Sequence, residues 1–266
     1  MSEHPIIRVQ HVVKTFGKVT AVNDVSFDVQ AGEIFAFLGP NGAGKTTTIK
    51  MLTTLLRPTS GALELDGLDP TTQQTEVRRR FGVVFQDPSL DSELTAGENM
   101  DIHGVLYHVP RQLRRQRSET LLKMFELWDR RDDLVKTFSG GMKRRLEIAR
   151  GLLHTPKVLF LDEPTLGLDP QSRNQMWTHV RSLNQTERVT VFLTTHYMDE
   201  ADRVADRIAV IDHGRIVATG SAAELKRQTG TDSLEAAFLK LTGTTIRDES
   251  ATAVDQMRQV SRVWRR

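Results

Sequence analysis

The chain has 266 residues, 38% hydrophobic and 26% charged, enough for one large domain or two modest ones with a real core. A formal net charge of +2 argues against a bulk polyanion partner, so no nucleic acid is expected. The absence of cysteine excludes disulfides, thiol chemistry and cysteine-ligated zinc.

The N-terminal MSEHPIIRVQ has no basic patch followed by an apolar stretch, so no signal peptide is expected. The alternating, β-branched run IIRVQHVVKTFGKVTAVNDVSFDV then predicts antiparallel strands. IFAFL from Ile34 opens a series of five continuous apolar runs, completed by VVF from Val83, VLFL from Val158, VTVFLT from Val189 and IAVI from Ile208. Continuous rather than alternating runs fit strands buried on both faces. None is long enough to span a bilayer, so a soluble chain is expected, with any membrane connection made through a partner.

Helical patterns lie between these runs. TTTIKMLTTLL sets Ile49, Leu52 and Leu56 on one face, and SGGMKRRLEIARGLL does the same for Met142, Leu146, Ala149 and Leu153. Roughly Thr95 to Thr137 is polar and helical, carries RQLRRQR, and reads as a helical insertion between two sheet strands. Strands alternating with helices predict a mostly parallel α/β sheet. After Gly243, residues Val254, Met257, Val260 and Trp264 approximate one short helical face ahead of a basic end. A frayed, solvated terminus is the simpler expectation there, with contact to anionic lipid or a partner as the alternative.

The stretch GPNGAGKT fits G-x-x-x-x-G-K-[ST], with Gly39, Gly44, Lys45 and Thr46 in place. An apolar strand ends before it and a helix begins near Thr46. Such a loop, here Gly39, Pro40, Asn41, Gly42, Ala43 and Gly44, turns successive N–H groups inward around an anion, and the helix dipole adds to the field. Gly42 and Gly44 are read as keeping side chains clear of phosphate. Lys45 can reach the β and γ phosphates, Thr46 can ligate Mg²⁺, and Thr47 can donate to the α phosphate. The loop alone leaves ATP and GTP both open.

VLFLDEP places Asp162 and Glu163 at the C-terminal end of a buried strand, where ligands of parallel sheets gather. Asp162 suits Mg²⁺, through water, and Glu163 suits the attacking water. Adjacent carboxylates repel, so ionising both requires a nearby cation, and Mg²⁺ would meet that need. A solvated Asp-Glu at a strand end is the ordinary alternative, and the phosphate loop weighs against it.

FSGGMKRRLEIARGLL from Phe138 lies just upstream, and it resembles the LSGGQ signature of ABC (ATP-binding cassette) ATPases. GLD at Gly167 to Asp169 looks like their D-loop, TTH ending at His196 matches their switch histidine, and FQD places Gln86 at their Q-loop glutamine. The motifs run in the family's order from roughly Ile6 to Gly220. Two departures stand out: Phe138 and Met142 replace the signature's leucine and glutamine, while its serine and glycines remain. Phe16 stands where the family stacks a tyrosine on adenine. It reads either as that platform or as a strand-edge core residue. Likewise Gln86, His196 and Asp169 have bland readings as a loop residue, a residue before a helix and an N-cap.

The resemblance implies a P-loop NTPase of the ABC cassette type: α/β, with a parallel-sheet core, an N-terminal antiparallel β subdomain and a helical subdomain. The ATPase domain would span residues 1–243, with the helical part at about 95–155 and a tail at 244–266. It implies ATP and Mg²⁺ as cofactors. It also implies a homodimer in which Ser139, Gly140 and Gly141 of a second copy meet the γ-phosphate. Glu163 would handle water, His196 would contact the γ-phosphate, and Gln86 would link Mg²⁺ to the helical insertion. TTHYMDEADRVADRIAVIDHGRIVATGSAAELK and SLEAAFLKLTG resemble the daunorubicin-resistance group of bacterial exporters. That group pairs one cassette with a separate membrane permease at the cytoplasmic face. Export of a drug-like or amphipathic compound is the expectation, with polysaccharide or lipid export, or a soluble ATPase acting on ribosomes or DNA, as alternatives.

Overall fold

The computed structural model describes residues 4–243. The tail residues from Val254 to Trp264 singled out above lie outside them. Strands β1 (Ile7–Phe16) and β2 (Val19–Val29) pair antiparallel, as their alternation predicts. β4 (Ser60–Leu65) joins β1 on its other edge to give a three-stranded sheet. Between them come β3 (Ile34–Leu38) and α1 (Lys45–Leu52). Helix α2 (Gln74–Arg78) leads into β5 (Phe81–Val84). The helical insertion follows as α3 (Ala96–Leu106) and α4 (Arg111–Met124). The chain continues through α5 (Gly140–Gly151), β6 (Val158–Asp162), α6 (Pro170–Glu187), β7 (Thr190–Thr195) and α7 (Met198–Val204). It then forms β8 (Arg207–Asp212), β9 (Arg215–Gly220), α8 (Ala222–Thr229) and α9 (Leu234–Thr242).

The main sheet runs β5-β6-β7-β3-β8-β9, parallel except for the antiparallel β9. Both of its faces are covered, which is why the central strands read as unbroken apolar runs. Phe35, Phe37, Phe160 and Phe192 point to the three-stranded sheet and α1, and Ile34, Ala36, Leu38, Leu159, Leu161 and Leu193 point to the helices. On the first face the Phe27 ring packs on Phe35, Phe37 and Phe192 with centroids 5.4–5.9 Å apart. Such pairs add roughly 0.5–1.5 kcal/mol each beyond area burial.

Three departures from the sequence reading have local causes. Helix α1 stops at Leu52, so Leu56 does not extend its face. Thr54 turns left-handed at φ 64°, and the N–H groups of Leu55 and Leu56 fold back to the Lys50 carbonyl. β5 begins at Phe81 rather than Val83 because Gly82 belongs to it. A Cβ there would sit 2.2 Å from the Gly151 carbonyl oxygen, so α5 packs directly on this backbone. Helix α5 is buried on most sides, with Arg144 and Glu147 inside as well as the predicted Leu146 and Ala149.

His103 of α3 and His154, the latter stacked 3.9 Å from the Tyr107 ring, sit where α3 meets the end of α5. Burial pushes His103 down to about 3, with the Arg150 charge adding to it. Burial likewise pushes His154 down to about 4, against a hydrogen bond to the Phe81 carbonyl. Both folded values lie below the unfolded value, so the fold prefers neutral rings. Their contribution is complete above pH ~6.5 and is lost as pH falls toward ~4, at a cost of about 2 kcal/mol each by pH 5. Urea unfolding at pH 7 and pH 5 should show this loss, reduced by about that amount in His103→Gln. An identical pH dependence in the variant would exclude the histidine.

Candidate active site

The strand order makes the site. β6, β7 and β3 are neighbours, so their carboxyl ends bring together segments that are far apart in sequence. β3 runs into the loop Gly39–Gly44 and α1, β6 ends at Asp162, and β7 leads to His196.

The N–H groups of Gly44, Lys45, Thr46 and Thr47 take no acceptor among the described residues, and Gly44 supplies no side-chain cap. A helix start with unsatisfied donors is built to hold an anion. Gly42 has φ 77° and nothing within 4 Å of a Cβ built on it, in keeping with clearance for a ligand. Gly44 is different. It has φ 106°, and a Cβ would meet the Ala21 carbonyl oxygen at 2.5 Å, so backbone conformation and packing already require a glycine there. Ala43 is buried, and Asn41 is exposed.

The Lys45 side chain folds back on the start of its own loop. Its Nζ donates to the carbonyls of Gly39 (2.7 Å) and Pro40 (3.1 Å) and pairs with Glu163 Oε1 at 3.0 Å. This ammonium is one cation that offsets the charge of Glu163, beside the Mg²⁺ that the sequence reading invokes for the acidic pair. The other Glu163 oxygen lies 3.1 Å from His196 Nδ1. Burial would raise the Glu163 carboxyl, but His196 and Lys45 outweigh it and hold it down at about 2. Glu163 also has φ 47°, with its N–H donating to Thr194. A left-handed non-glycine residue is strained, and strain of this kind collects at functional sites.

Asp162 Oδ1 accepts from Thr194 Oγ1 at 2.6 Å and Thr46 Oγ1 at 3.1 Å. Burial raises its pKa, and those two bonds oppose the rise. A hydroxyl beside a buried carboxylate is the oxygen donor set a hard cation such as Mg²⁺ prefers. Thr194 opens the TTH motif, but the sequence reading gives it no role beside Asp162.

The remaining predicted residues lie around this centre. Phe16 ends β1 with its ring 40% exposed and Lys14 Nζ 4.9 Å from the centroid, so it is not a core residue. Asp169 caps α6, accepting from Ser172 N at 2.9 Å. Ser139 caps α5, accepting from Met142 N at 3.3 Å. Gly140 is exposed, and Gly141 packs on Ser172. Among the described residues no hydrogen bond or ion pair joins Ser139, Gly140 or Gly141 to the loop around Lys45.

Gln86 is exposed, but its loop is fastened to α5. Arg144 donates to the carbonyls of Phe85 (2.6 Å) and Gln86 (3.0 Å) and to Glu147 (2.9 Å), and Glu147 accepts from Ser89 N at 2.7 Å. This buried clamp ties the Gln86 loop to the helix tipped by Ser139. The sequence signal for it was a charged pair at i, i+3 on a helix that is otherwise buried.

Residues 22–166 match the family model described as ABC transporter. The chain is 50% identical over 228 residues to the daunorubicin/doxorubicin resistance ATP-binding protein DrrA of Streptomyces peucetius, covering 86% of this chain and 69% of that protein. It is 43% identical to the Nod factor export ATP-binding protein I of Ralstonia nicotianae, covering 87% and 72%. A dimeric ATP-binding cassette in a post-hydrolysis state bound to ADP and Pi superposes with a TM-score of 0.72 at 28% identity, covering 81% of this chain and 98% of that one.

Proposed function

This chain belongs to the ABC transporter family, as an ATPase, and we propose that it is the subunit that drives a drug-like or amphipathic compound out of the cell through a separate permease. The observation that carries the reading is the meeting of the Gly39–Thr47 loop, Asp162, Glu163 and His196 at one sheet edge. Phe16 would stack on adenine, and the N–H groups of the loop would hold the phosphates. Lys45 would leave Glu163 and the loop carbonyls for the β and γ phosphates. That exchange releases Glu163 to take the proton of the attacking water. Mg²⁺, when bound, neutralises phosphate charge, and Thr46, Asp162 and Gln86 are the residues that would hold it.

The site is completed by a second copy. Ser139, Gly140 and Gly141 at the tip of α5 would approach the γ-phosphate from the far side, with the helix dipole favouring the anion. Asp169 would face the partner across the same junction. The dimeric cassette with ADP and Pi supports this reading. ATP then favours the closed pair only as far as it binds that state better, and hydrolysis removes the bridge.

Among the described residues no helix is long and apolar enough to cross a membrane. Helix α3 exposes Ile102 (48%), Val105 (51%) and Leu106 (69%), an apolar stripe at helical spacing. We assign it to the permease, which would place the chain at the cytoplasmic face of the membrane. The relative named for daunorubicin and doxorubicin resistance supports a drug-like cargo. The relative named for Nod factor export favours a second reading, export of a cargo that is not a drug, for which a polysaccharide or lipid is the alternative proposed from the sequence. Purification from a detergent extract tests the transporter assignment. A multi-span membrane protein should accompany the chain, and ribosomes or nucleic acid in its place would contradict it.

A further inference from the structure

Glu200, in α7, is wholly buried. A carboxylate in that position is costly unless paired and hydrogen-bonded. Its Oε2 accepts from Thr165 Oγ1 at 2.9 Å and from Thr195 Oγ1 at 3.3 Å. Its Oε1 lies 3.4 Å from Arg173 Nε. The three partners belong to three segments. Thr165 follows Glu163 by two positions, Thr195 directly precedes His196, and Arg173 lies in the first turns of the helix capped by Asp169. The Thr195 hydroxyl also accepts from Tyr197 N–H at 2.9 Å. The Arg173 guanidinium sits 4.6 Å from the Tyr197 ring centroid, and that ring lies 4.0 Å from the His196 ring.

We propose that Glu200 is a positioning residue for hydrolysis: its carboxylate holds the segments of Glu163, His196 and Asp169 in one fixed relation. The proposal rests on the roles given to Glu163 and His196 above. Glu200 itself touches none of the reacting groups. It acts through hydroxyls on either side of them and through a cation on the helix that faces the partner copy. Misplacing reacting groups by about 1 Å costs on the order of 10²-fold in rate. A purely structural role would instead lower stability and leave the chemical step alone.

The test measures steady-state hydrolysis, equilibrium binding of a fluorescent ATP analogue and thermal unfolding on the full chain. In Glu200→Ala, kcat should fall by about tenfold or more while nucleotide Kd stays within about threefold. Glu200→Gln keeps an acceptor for both threonines and should recover part of the loss. Arg173→Met, which removes the ion pair that ties Glu200 to α6 and the contact of the guanidinium with the Tyr197 ring, should lower kcat without changing Kd. If Glu200→Ala does not fold, the two milder variants decide. The proposal is overturned by wild-type kcat in folded Glu200→Ala, by wild-type kcat in both milder variants, or by losses that follow Kd. Glu163→Gln is measured alongside, and retained turnover there overturns the underlying assignment of Glu163 instead.

Discussion

Replacing Glu163 with Gln should lower kcat for ATP hydrolysis by about 10²–10⁴-fold while ATP still binds. The side chain keeps its shape and one acceptor oxygen, so the left-handed turn at Glu163 and its bonds to Thr194 survive. What is lost is the base. In the arrangement described, that base is masked: a carboxyl held at about 2 by His196 and Lys45 is a poor proton acceptor. Once Lys45 turns to phosphate, one of the two groups that hold the carboxyl down is gone, and burial raises its pKa from there. The substitution also removes the ion pair that competes with phosphate for Lys45. ATP affinity should therefore be unchanged or tighter. Single-turnover hydrolysis and nucleotide binding on the same sample check both halves, and turnover within about threefold of wild type would remove Glu163 from this role.

Lys45→Ala should weaken ATP binding by roughly 30-fold to several thousand-fold, which corresponds to about 2–5 kcal/mol for truncating one member of a buried charge pair. The ammonium is 5% exposed and makes three close contacts, so its removal leaves the carbonyls of Gly39 and Pro40 and one Glu163 oxygen without their donor. Glu163 then loses one of the two partners that hold its pKa down. Isothermal titration with ATP measures the first effect. Wild-type affinity would mean that the loop holds phosphate by backbone alone.

The phosphate loop was legible because its chemistry is contiguous: eight residues, GPNGAGKT, supply turn, donors and cation together. The five parallel strands were legible because both their faces are buried. β4 and β9 were not, because they leave Ser60, Gly61, Ala62, Arg215 and Val217 exposed and so show no unbroken apolar run. The ion pair of Lys45 with Glu163 links positions joined only by the strand order, and no local spacing encodes it. The same holds for Thr194 beside Asp162 and for the Arg144 clamp on the Gln86 loop. Gly44 has a reason for being glycine that the sequence did not show, since a carbonyl of Ala21 in β2 lies where a side chain would go. Phe16 reads from the sequence as an adenine platform over a strand-edge core residue, and Asp169 as functional as well as an N-cap. Exposure argues against a core role for Phe16, and Asp169 is an N-cap whatever else it does.

Subunit mixing tests most directly whether one nucleotide is gripped by two copies. Ser139→Ala and Lys45→Ala chains, each nearly inactive alone, are combined and hydrolysis is followed against mixing ratio. A mixed pair contains one intact site, with Lys45 from one chain and Ser139 from the other, so activity should reappear and peak near equal amounts. Activity that stays at the sum of the two inactive proteins at every ratio would contradict a shared site.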